Sequence, residues 1–156
     1  MTIKLVVGGL TLNIISAYAP QVGLDVETKR RFWEDLDEVV VSIPPTEKLF
    51  IRGDFNGHIG SVSTGYDEVH GGFGFGCRNS GGASLLDFAK AFGLRVANSS
   101  FPKKEEHLVT FRSSRTAMQI DFRLLRKDDK SLCKDYKVIQ VRTLRPNINY
   151  WSWTWR

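Results

Sequence analysis

Residues 48–56 read KLFIRGDFN, an apolar run that ends in the tetrapeptide Gly-Asp-Phe-Asn. A short apolar run bounded by turn residues predicts a buried strand over residues 48–53. Catalytic groups of layered α/β folds tend to emerge at such strand ends. Asp54 and Asn56 are two positions apart, so their side chains point the same way if the extended conformation persists. The stretch therefore predicts a buried strand that carries a carboxylate and an amide at its end.

A carboxylate beside an amide suits chemistry at a phosphodiester. The carboxylate of Asp54 can ligate Mg²⁺ or accept a proton from water, and the amide of Asn56 can orient the attacking oxygen. An ordinary Asp/Asn turn after a strand is the alternative, and on spacing alone it is the commoner case.

The residues before this strand predict a β-hairpin followed by a helix. Residues 2–7 and 10–18 alternate between the two faces of a strand, and Gly8-Gly9 suits the two-residue turn between them. Alternation places one set of side chains of the second strand on a common face: Leu10, Leu12, Ile14, Ser16 and Tyr18. Asp25 is expected to cap a helix that ends before Pro44-Pro45. Its apolar face consists of Phe32, Leu36, Val39, Val40 and Ile43.

The residues after the strand predict a long loop, a second helix and further strands. Residues 54–82 are rich in glycine, and loops of this length are usually functional or mobile. A helix is expected from about Ala83 to Phe92, with Gly93 at its C-terminal cap. Three further strands are predicted at residues 94–99, 108–113 and 118–125. Strands mixed with two helices predict an α/β or α+β layered domain.

Two more residues are candidates for a site. Asp121 lies inside the apolar stretch MQIDFRLL, where an acid is costly unless it is paired or bound to a metal. The alternative is that Asp121 lies on the exposed face of its strand. Tyr18 ends a predicted strand, and its phenol could bind a phosphate, although a half-buried aromatic is the usual case. The three histidines lack metal-ligand spacing, so no zinc site is predicted.

Composition limits the class of protein. The chain has 156 residues and a mass of 17.7 kDa, which fits one domain. Its 42% hydrophobic and 25% charged residues are typical of a globular protein and argue against disorder. No apolar run approaches the ~20 residues of a membrane span, and no signal peptide is recognised at the first residues. We therefore expect no membrane partner.

Charge and cysteine content indicate partner and compartment. The net charge is +5 and the isoelectric point about 9.4, which favours polyanionic partners such as nucleic acid. A solvated basic surface is the alternative. The two cysteines, Cys77 and Cys133, suit a reducing compartment. We expect an intracellular protein, and the sequence leaves the choice between nucleus and cytoplasm open.

Four short motifs occur in a fixed order: SAYAP at 16–20, GDFN at 53–56, VTF at 109–111 and QIDF at 119–122. Together they resemble the endonuclease/exonuclease/phosphatase family, which includes deoxyribonuclease I and apurinic endonucleases. Within the family they look closest to the plant craniofacial development protein 2-like subgroup and to retrotransposon endonuclease domains. The resemblance covers about residues 1–139, which it identifies as a partial domain. It leaves residues 140–156 as an atypical tail rich in tryptophan.

The resemblance implies a fold and a set of roles. The family fold is a four-layer α/β sandwich, and its members cleave phosphoester bonds with Mg²⁺ or Mn²⁺. Asp54 would activate or orient the nucleophile and is the candidate metal ligand, and Asn56 would contact the phosphate. Tyr18 would be the active-site phenol. Asp121 would position a catalytic histidine. We therefore expect Asp54 and Asp121 to meet in a shared cleft.

The sequence also departs from the family pattern. The family has an early active-site Asn, a Glu that ligates the metal, and a late catalytic His, and no matching residues are found here. Removing one acid-base group typically costs about 10²–10⁴ in rate. We therefore expect a fragment of a metal-dependent phosphodiesterase or endonuclease domain with weak or no activity on its own.

Two other interpretations stay open. The chain could be a non-catalytic remnant that binds nucleic acid, DNA in preference to RNA, through the basic residues between Lys103 and Arg145. It could instead be an unrelated α/β binding module in which GDFN is only a turn. Because an incomplete sandwich exposes strand edges and apolar faces, we also expect self-association through exposed sheet edges.

Overall fold

The computed structural model describes the backbone of residues 1–139 and 150–153 and the side chains of residues 1–136. Most of the predicted tail over 140–156, including the arrangement of its tryptophan side chains, therefore lies outside the described residues. No helix among the described residues has both the length and the apolar character needed to cross a membrane.

The described residues form nine strands and two α-helices. The strands are β1 (Thr2–Val7), β2 (Leu10–Tyr18), β3 (Lys48–Asp54), β4 (Leu94–Val96), β5 (Phe111–Arg112), β6 (Ala117–Met118), β7 (Asp121–Arg126), β8 (Tyr136–Ile139) and β9 (Tyr150–Trp153). The helices are α1 (Val26–Val41) and α2 (Ser80–Ala91). Short 3₁₀ helices cover Ala97–Ser99, Glu105–His107 and Lys127–Leu132.

Five of the strands form one mixed sheet, in the order β1-β2-β3-β7-β4. β2 and β3 run parallel, and the other neighbours are antiparallel. β5 pairs with β6, and β8 pairs with β9, as separate two-stranded ladders. The sheet confirms the prediction of a layered α/β domain.

Both helices contribute to one core on one face of the sheet. The strands contribute Ile15, Leu49, Ile51, Phe122 and Leu124 to this core, and the helices contribute Leu36, Val40, Leu85, Leu86 and Phe88. The opposite face, which we call the open face, has no α-helix against it among the described residues. It carries a smaller apolar cluster that includes Phe50, Leu125 and, from the first 3₁₀ helix, Ala97. The edge of the open face is apolar and exposed, since Ile3 and Leu5 are 42% and 43% accessible. The described residues therefore form part of the predicted sandwich, with both α-helices on one side of the five-stranded sheet.

The first half of the chain follows its sequence pattern closely. The hairpin turns at Gly8-Gly9, where both residues have positive φ, as a two-residue turn requires. Asp25 caps α1, because its Oδ1 accepts a hydrogen bond from the backbone N–H of Thr28 at 2.8 Å. The side chains of β2 that alternation predicts to share a face, from Leu10 to Tyr18, lie on the open face of the sheet. The residues that pack toward the helices are Asn13 and Ile15, which are buried.

The second helix begins three residues earlier than predicted. Asn79 caps it by accepting a hydrogen bond from the backbone N–H of Gly82 at 2.9 Å. Glycines in a helical first turn weaken the local signal, so the sequence placed them in a loop. A Cβ at Gly82 would overlap the carbonyl group of His58, so close packing requires glycine there. Gly93 ends the helix with a φ of 60°, as predicted.

The predicted later strands are shorter than their apolar patterns. The strand expected at 94–99 ends at Val96, whose carbonyl accepts hydrogen bonds from the Ser99 and Ser100 hydroxyls. The strand expected at 108–113 is reduced to β5. The strand expected at 118–125 is divided between the end of β6 at Met118 and β7, which begins at Asp121. The interruption lies at Thr110, because its hydroxyl oxygen accepts the N–H groups of residues 120 and 121. Side-chain bonds of this kind replace the ladder that periodicity predicts.

Candidate active site

Three of the predicted site residues lie in one row across the sheet. Tyr18 is paired with Asp54 in the parallel ladder between β2 and β3. Asp54 is in turn paired with Asp121 in the antiparallel ladder between β3 and β7. Paired residues of adjacent strands share a face, and here it is the open face. The structure therefore brings Asp54 and Asp121 together, as the sequence led us to expect.

The two aspartates line a small polar cleft of about 130 Å³, which we call the acid cleft. Its other lining residues are Ser16, Ala17, Arg52, Gly53, Phe122, Arg123 and Tyr136. We call the row formed by Tyr18, Asp54 and Asp121 the acid row. Tyr18 lies at its end but does not line the cleft, and 66% of Tyr18 is exposed to solvent. Tyr18 is therefore exposed on the strand next to Asp54 rather than buried inside the cleft.

Asp54 is half-buried and held by its own turn. Its Oδ1 accepts a hydrogen bond from the backbone N–H of Asn56 at 2.8 Å. Burial raises the pKa of the Asp54 carboxyl, and this hydrogen bond opposes the rise only in part. The side chain is thus fixed in direction, while its negative charge is less stable than it would be in water.

Asp121 is the more strongly perturbed acid. Burial raises its pKa from 3.8 to about 6, and the negative charge of Asp54 adds to the rise. A hydrogen bond from the side chain of Thr110 and the positive charges of Arg123 and Arg52 oppose it. Two carboxyl groups that share a partly buried site disfavour each other's ionisation. A cation or a shared proton would relieve this repulsion.

Asn56 does not accompany Asp54 into the acid cleft. The strand ends at Asp54, and Asn56 adopts a left-handed conformation with a φ of 45°. Its side-chain amide donates to the carbonyl of Ala19 at 2.8 Å. It lines a different cleft, next to Trp33 and Phe55. The extended conformation that would align the two side chains does not persist, because the chain turns at Asn56.

Several residues of the site carried no clear signal in the sequence. Asn98 is fully buried: its Oδ1 accepts the backbone N–H of Arg123 at 2.8 Å, and its Nδ2 donates to the carbonyl of Asp121 at 3.1 Å. Asn98 and Thr110 therefore fix the start of β7 and the direction of Asp121. Thr110 belongs to the VTF motif, which was the only pointer to it. Asn98 lies in a segment that was read simply as a strand.

None of the three histidines lines the acid cleft. His70 is buried elsewhere: its Nδ1 accepts the backbone N–H of Gly72 at 3.0 Å. Nε2 therefore carries the proton, and it donates to the carbonyl of Gly60 at 3.0 Å. Burial lowers the pKa of His70, so the ring is held neutral. His70 joins two parts of the glycine-rich loop rather than serving the site.

The donor set of the acid cleft fits a hard divalent cation in chemistry. Carboxylate oxygens are ligands that Mg²⁺ prefers, and Mg²⁺ often binds through one or two carboxylates while it keeps several waters. Asp54 and Asp121 supply two such groups. Within the described part of the chain, no group of three or more His, Cys, Asp or Glu residues could hold a metal ion.

Similar proteins are found both by sequence and by structure. No family model matches the chain. It is 32% identical over 128 residues to craniofacial development protein 2 of Tragulus javanicus, and 31% identical over 128 residues to that of Bos taurus. Both alignments cover 81% of this chain but only 22% and 21% of the relatives. The chain therefore spans about a fifth of the length of these curated relatives.

Solved structures share the fold at low sequence identity. The endonuclease domain of TRAS1, a telomere-specific non-LTR retrotransposon, matches with a TM-score of 0.63 and 17% identity, covering 88% of this chain and 55% of that one. The 3′-5′ exonuclease NExo of Neisseria meningitidis matches with a TM-score of 0.62 and 16% identity, covering 99% and 65%. A structure of the 3′ phosphatase NExo bound to a product DNA hairpin gives a TM-score of 0.61 at 17% identity and the same coverage.

Proposed function

We propose that the chain belongs to the endonuclease/exonuclease/phosphatase family and that its acid cleft binds a phosphodiester of nucleic acid. The observation that carries this proposal is the row formed by Tyr18, Asp54 and Asp121 across three neighbouring strands. An unrelated binding module, in which GDFN is only a turn, gives no reason for two acids to share a half-buried cleft. The alignment of the motif residues thus favours the family chemistry over that alternative.

Each residue has a role that its position supports. Asp54, fixed by the N–H of Asn56, accepts a proton from water or orients it toward phosphorus. The exposed phenol of Tyr18 donates a hydrogen bond to a phosphate oxygen at the mouth of the cleft. Asp54 and Asp121 would hold Mg²⁺ or Mn²⁺, which supplies positive charge toward the phosphate oxygens when it is bound. Asn56 contacts a phosphate of the nucleic-acid backbone from the neighbouring cleft, which it lines with Trp33 and Phe55.

Hydrolysis by this polypeptide alone should be weak or absent. The resemblance implies that Asp121 positions a catalytic histidine, yet no histidine lines the cleft. Nor do the described residues offer a third acid for a metal ion. Loss of one acid-base group typically lowers the rate by about 10²–10⁴. We therefore propose a phosphodiesterase-type site that is catalytically incomplete in this polypeptide.

Plasmid nicking tests the catalytic part of the proposal. We expect slow or undetectable nicking in Mg²⁺ or Mn²⁺, and Asp54→Ala should abolish whatever activity is measured. Asp128→Ala is the matched control, because Asp128 is an exposed carboxylate outside the cleft. Nicking that survives Asp54→Ala would place the activity elsewhere or in a contaminant, and the proposal would fail.

A second candidate function is nucleic-acid binding without catalysis. The hairpin formed by β5 and β6 exposes Arg112 and Arg115, and it leads directly along the chain to Asp121. We propose DNA as the favoured partner, since the NExo relative of similar fold is seen with a DNA hairpin. Each phosphate that is contacted adds about 0.9 to the slope of log affinity against log salt. Replacing both arginines by glutamine should therefore lower the slope by roughly 2, and an unchanged slope would exclude this surface.

Self-association is also part of the proposal. All six residues of β1 are exposed, and β1 is an edge strand of the described sheet. Its one charged residue, Lys4, is paired with Glu47 at 2.8 Å. An apolar edge without free charges favours pairing with another strand. Gel filtration should show concentration-dependent association, and a sharp monomer peak with cooperative melting would contradict it.

We also propose that residues 1–139 form the domain and that residues 140–156 form a separate tail. β9 pairs with β8, which joins part of this tail to the end of the domain. Limited proteolysis that leaves a stable fragment ending near residue 139 would support the division. Loss of folding on removal of residues 140–156 would argue against it.

A further inference from the structure

A second row of polar side chains lies one step below the acid row on the open face. Ser16 is paired with Arg52 between β2 and β3, and Arg52 is paired with Arg123 between β3 and β7. All three line the acid cleft. Rows on one face are two residues apart, which is roughly 6.6–6.8 Å along the strands. The cleft therefore has a carboxylate end and a guanidinium end.

The two arginines are placed directly opposite each other, which is unfavourable for like charges. Arg123 is 5% exposed, and its guanidinium carbon lies 5.2 Å from the centre of the Tyr136 ring. The ring braces this cation by a cation–π contact. Arg52 is exposed, and among the described side chains it forms no ion pair. The two positive charges also favour the ionised form of Asp121 in the neighbouring row.

Guanidinium groups recognise one class of ligand particularly well. Their planar array of N–H donors matches the oxygens of phosphate in a bidentate manner. Ser16 adds a hydroxyl donor in the same row, so side chains from three neighbouring strands line this end of the cleft. A cleft of about 130 Å³ has room for a phosphate group, though not for a nucleoside.

We propose that Ser16, Arg52 and Arg123 form an anion subsite that holds the phosphate oxygens beside the acid row. The inference rests on the proposed function for its substrate, nucleic acid, but its own ligand is the phosphate group. Arg52 is the direct ligand that solvent can reach. Arg123 is held from behind by Tyr136 and supplies a fixed second guanidinium.

Titration with inorganic phosphate tests the subsite without a metal ion. Melting temperature is followed against phosphate concentration in a chelating buffer, with chloride at matched ionic strength as the reference. We expect a saturable rise in wild type. Arg52→Gln should weaken the apparent affinity about tenfold or more, since hydrogen bonds to charged groups are among the strongest. Arg52→Lys should lie between the two, because it keeps the charge and loses the fork.

Arg31→Gln is the matched control, because Arg31 is an exposed arginine on α1, outside the cleft. Its titration should equal that of wild type. Arg123→Gln should also lose the rise in melting temperature with phosphate. Because this substitution removes a buried side chain and can destabilise the fold, the result for Arg52→Gln is the one that tests the inference. The inference is overturned if wild type shows no saturable shift, if Arg52→Gln keeps it, or if Arg31→Gln loses it equally.

This experiment separates the subsite from the catalytic proposal. Phosphate binding that depends on Arg52, in a protein that never nicks DNA, would support the subsite and leave catalysis to the Asp54 test. The opposite result is nicking that depends on Asp54 together with a phosphate-induced rise in melting temperature that is unchanged in Arg52→Gln. It would support the proposed function and overturn the subsite.

Discussion

Replacing Asp121 by Asn should stabilise the protein at neutral pH. The Asp121 carboxyl has its pKa raised from 3.8 to about 6, chiefly by burial. A raised folded pKa means that its favourable contribution is fully present below the unfolded value and is lost as the pH rises through about 6. Asparagine has nearly the same shape, still accepts the hydrogen bond from Thr110, and carries no charge at any pH.

The magnitude follows from the shift. Each pKa unit corresponds to about 1.4 kcal/mol, so two units give roughly 3 kcal/mol for a fully shielded group. Asp121 is only partly buried, and solvent screens its charge, so we reduce this to about 1–2 kcal/mol. For a chain of this size, that gain corresponds to a rise in melting temperature of about 2–8 °C.

Thermal or urea unfolding at two pH values provides the assay. At pH 7.5 the variant should be more stable than wild type, and at pH 4 most of the difference should vanish, because native Asp121 is then protonated. Asp128→Asn, at an exposed carboxylate, is the control and should change little at either pH. A variant that is less stable at pH 7.5, or equally shifted at both pH values, would refute the reasoning.

Two further predictions concern the strand that carries Asp54 and the glycine-rich loop that follows it. Gly53→Ala should destabilise the fold by about 3 kcal/mol or more and lower the soluble yield, because a Cβ there would overlap the backbone carbonyl of Ala17. Gly23→Ala, where a Cβ meets nothing, should be tolerated, and equal urea midpoints for the two variants would contradict this. His70→Gln should be destabilised at pH 7.5, but the gap to wild type should narrow at pH 5.5. The lowered pKa of His70 means that the stability from its neutral ring is lost as the pH falls below about 6.5. His107→Gln, at a histidine that is only partly buried, is the control. A constant stability gap between His70→Gln and wild type at the two pH values would show that the titration of His70 does not matter.

The parts of the fold that were predicted correctly depend on local patterns. The hairpin over 2–18 and the helix capped by Asp25 follow from alternation, turn glycines and a capping side chain. The start of α2 was predicted wrongly, because its Gly81-Gly82 is selected by close packing on the loop after β3 rather than by helix propensity. The strand expected at 118–125 is interrupted because the hydroxyl oxygen of Thr110 accepts the N–H groups of Ile120 and Asp121, where β7 begins.

The candidate site divides in the same way. Asp54, Asp121 and Tyr18 were named from motifs, and the sheet places them in one row. Asn56 was expected beside Asp54, but a left-handed turn carries it into another cleft. Arg52 was not singled out as a site residue. An arginine in a strand has no local mark that distinguishes a solvated position from a ligand position.

The sequence by itself determined the element types, the strand that ends in Asp54, and the chemistry of its acids, because propensity and period act within a few residues. Only the tertiary structure decided which side chains meet. A parallel ladder between β2 and β3 and an antiparallel one between β3 and β7 set two registers over long separations, and a slip of one residue would send every side chain to the opposite face. That register aligns the acids in one row and the arginines in the next, and no local pattern contains it.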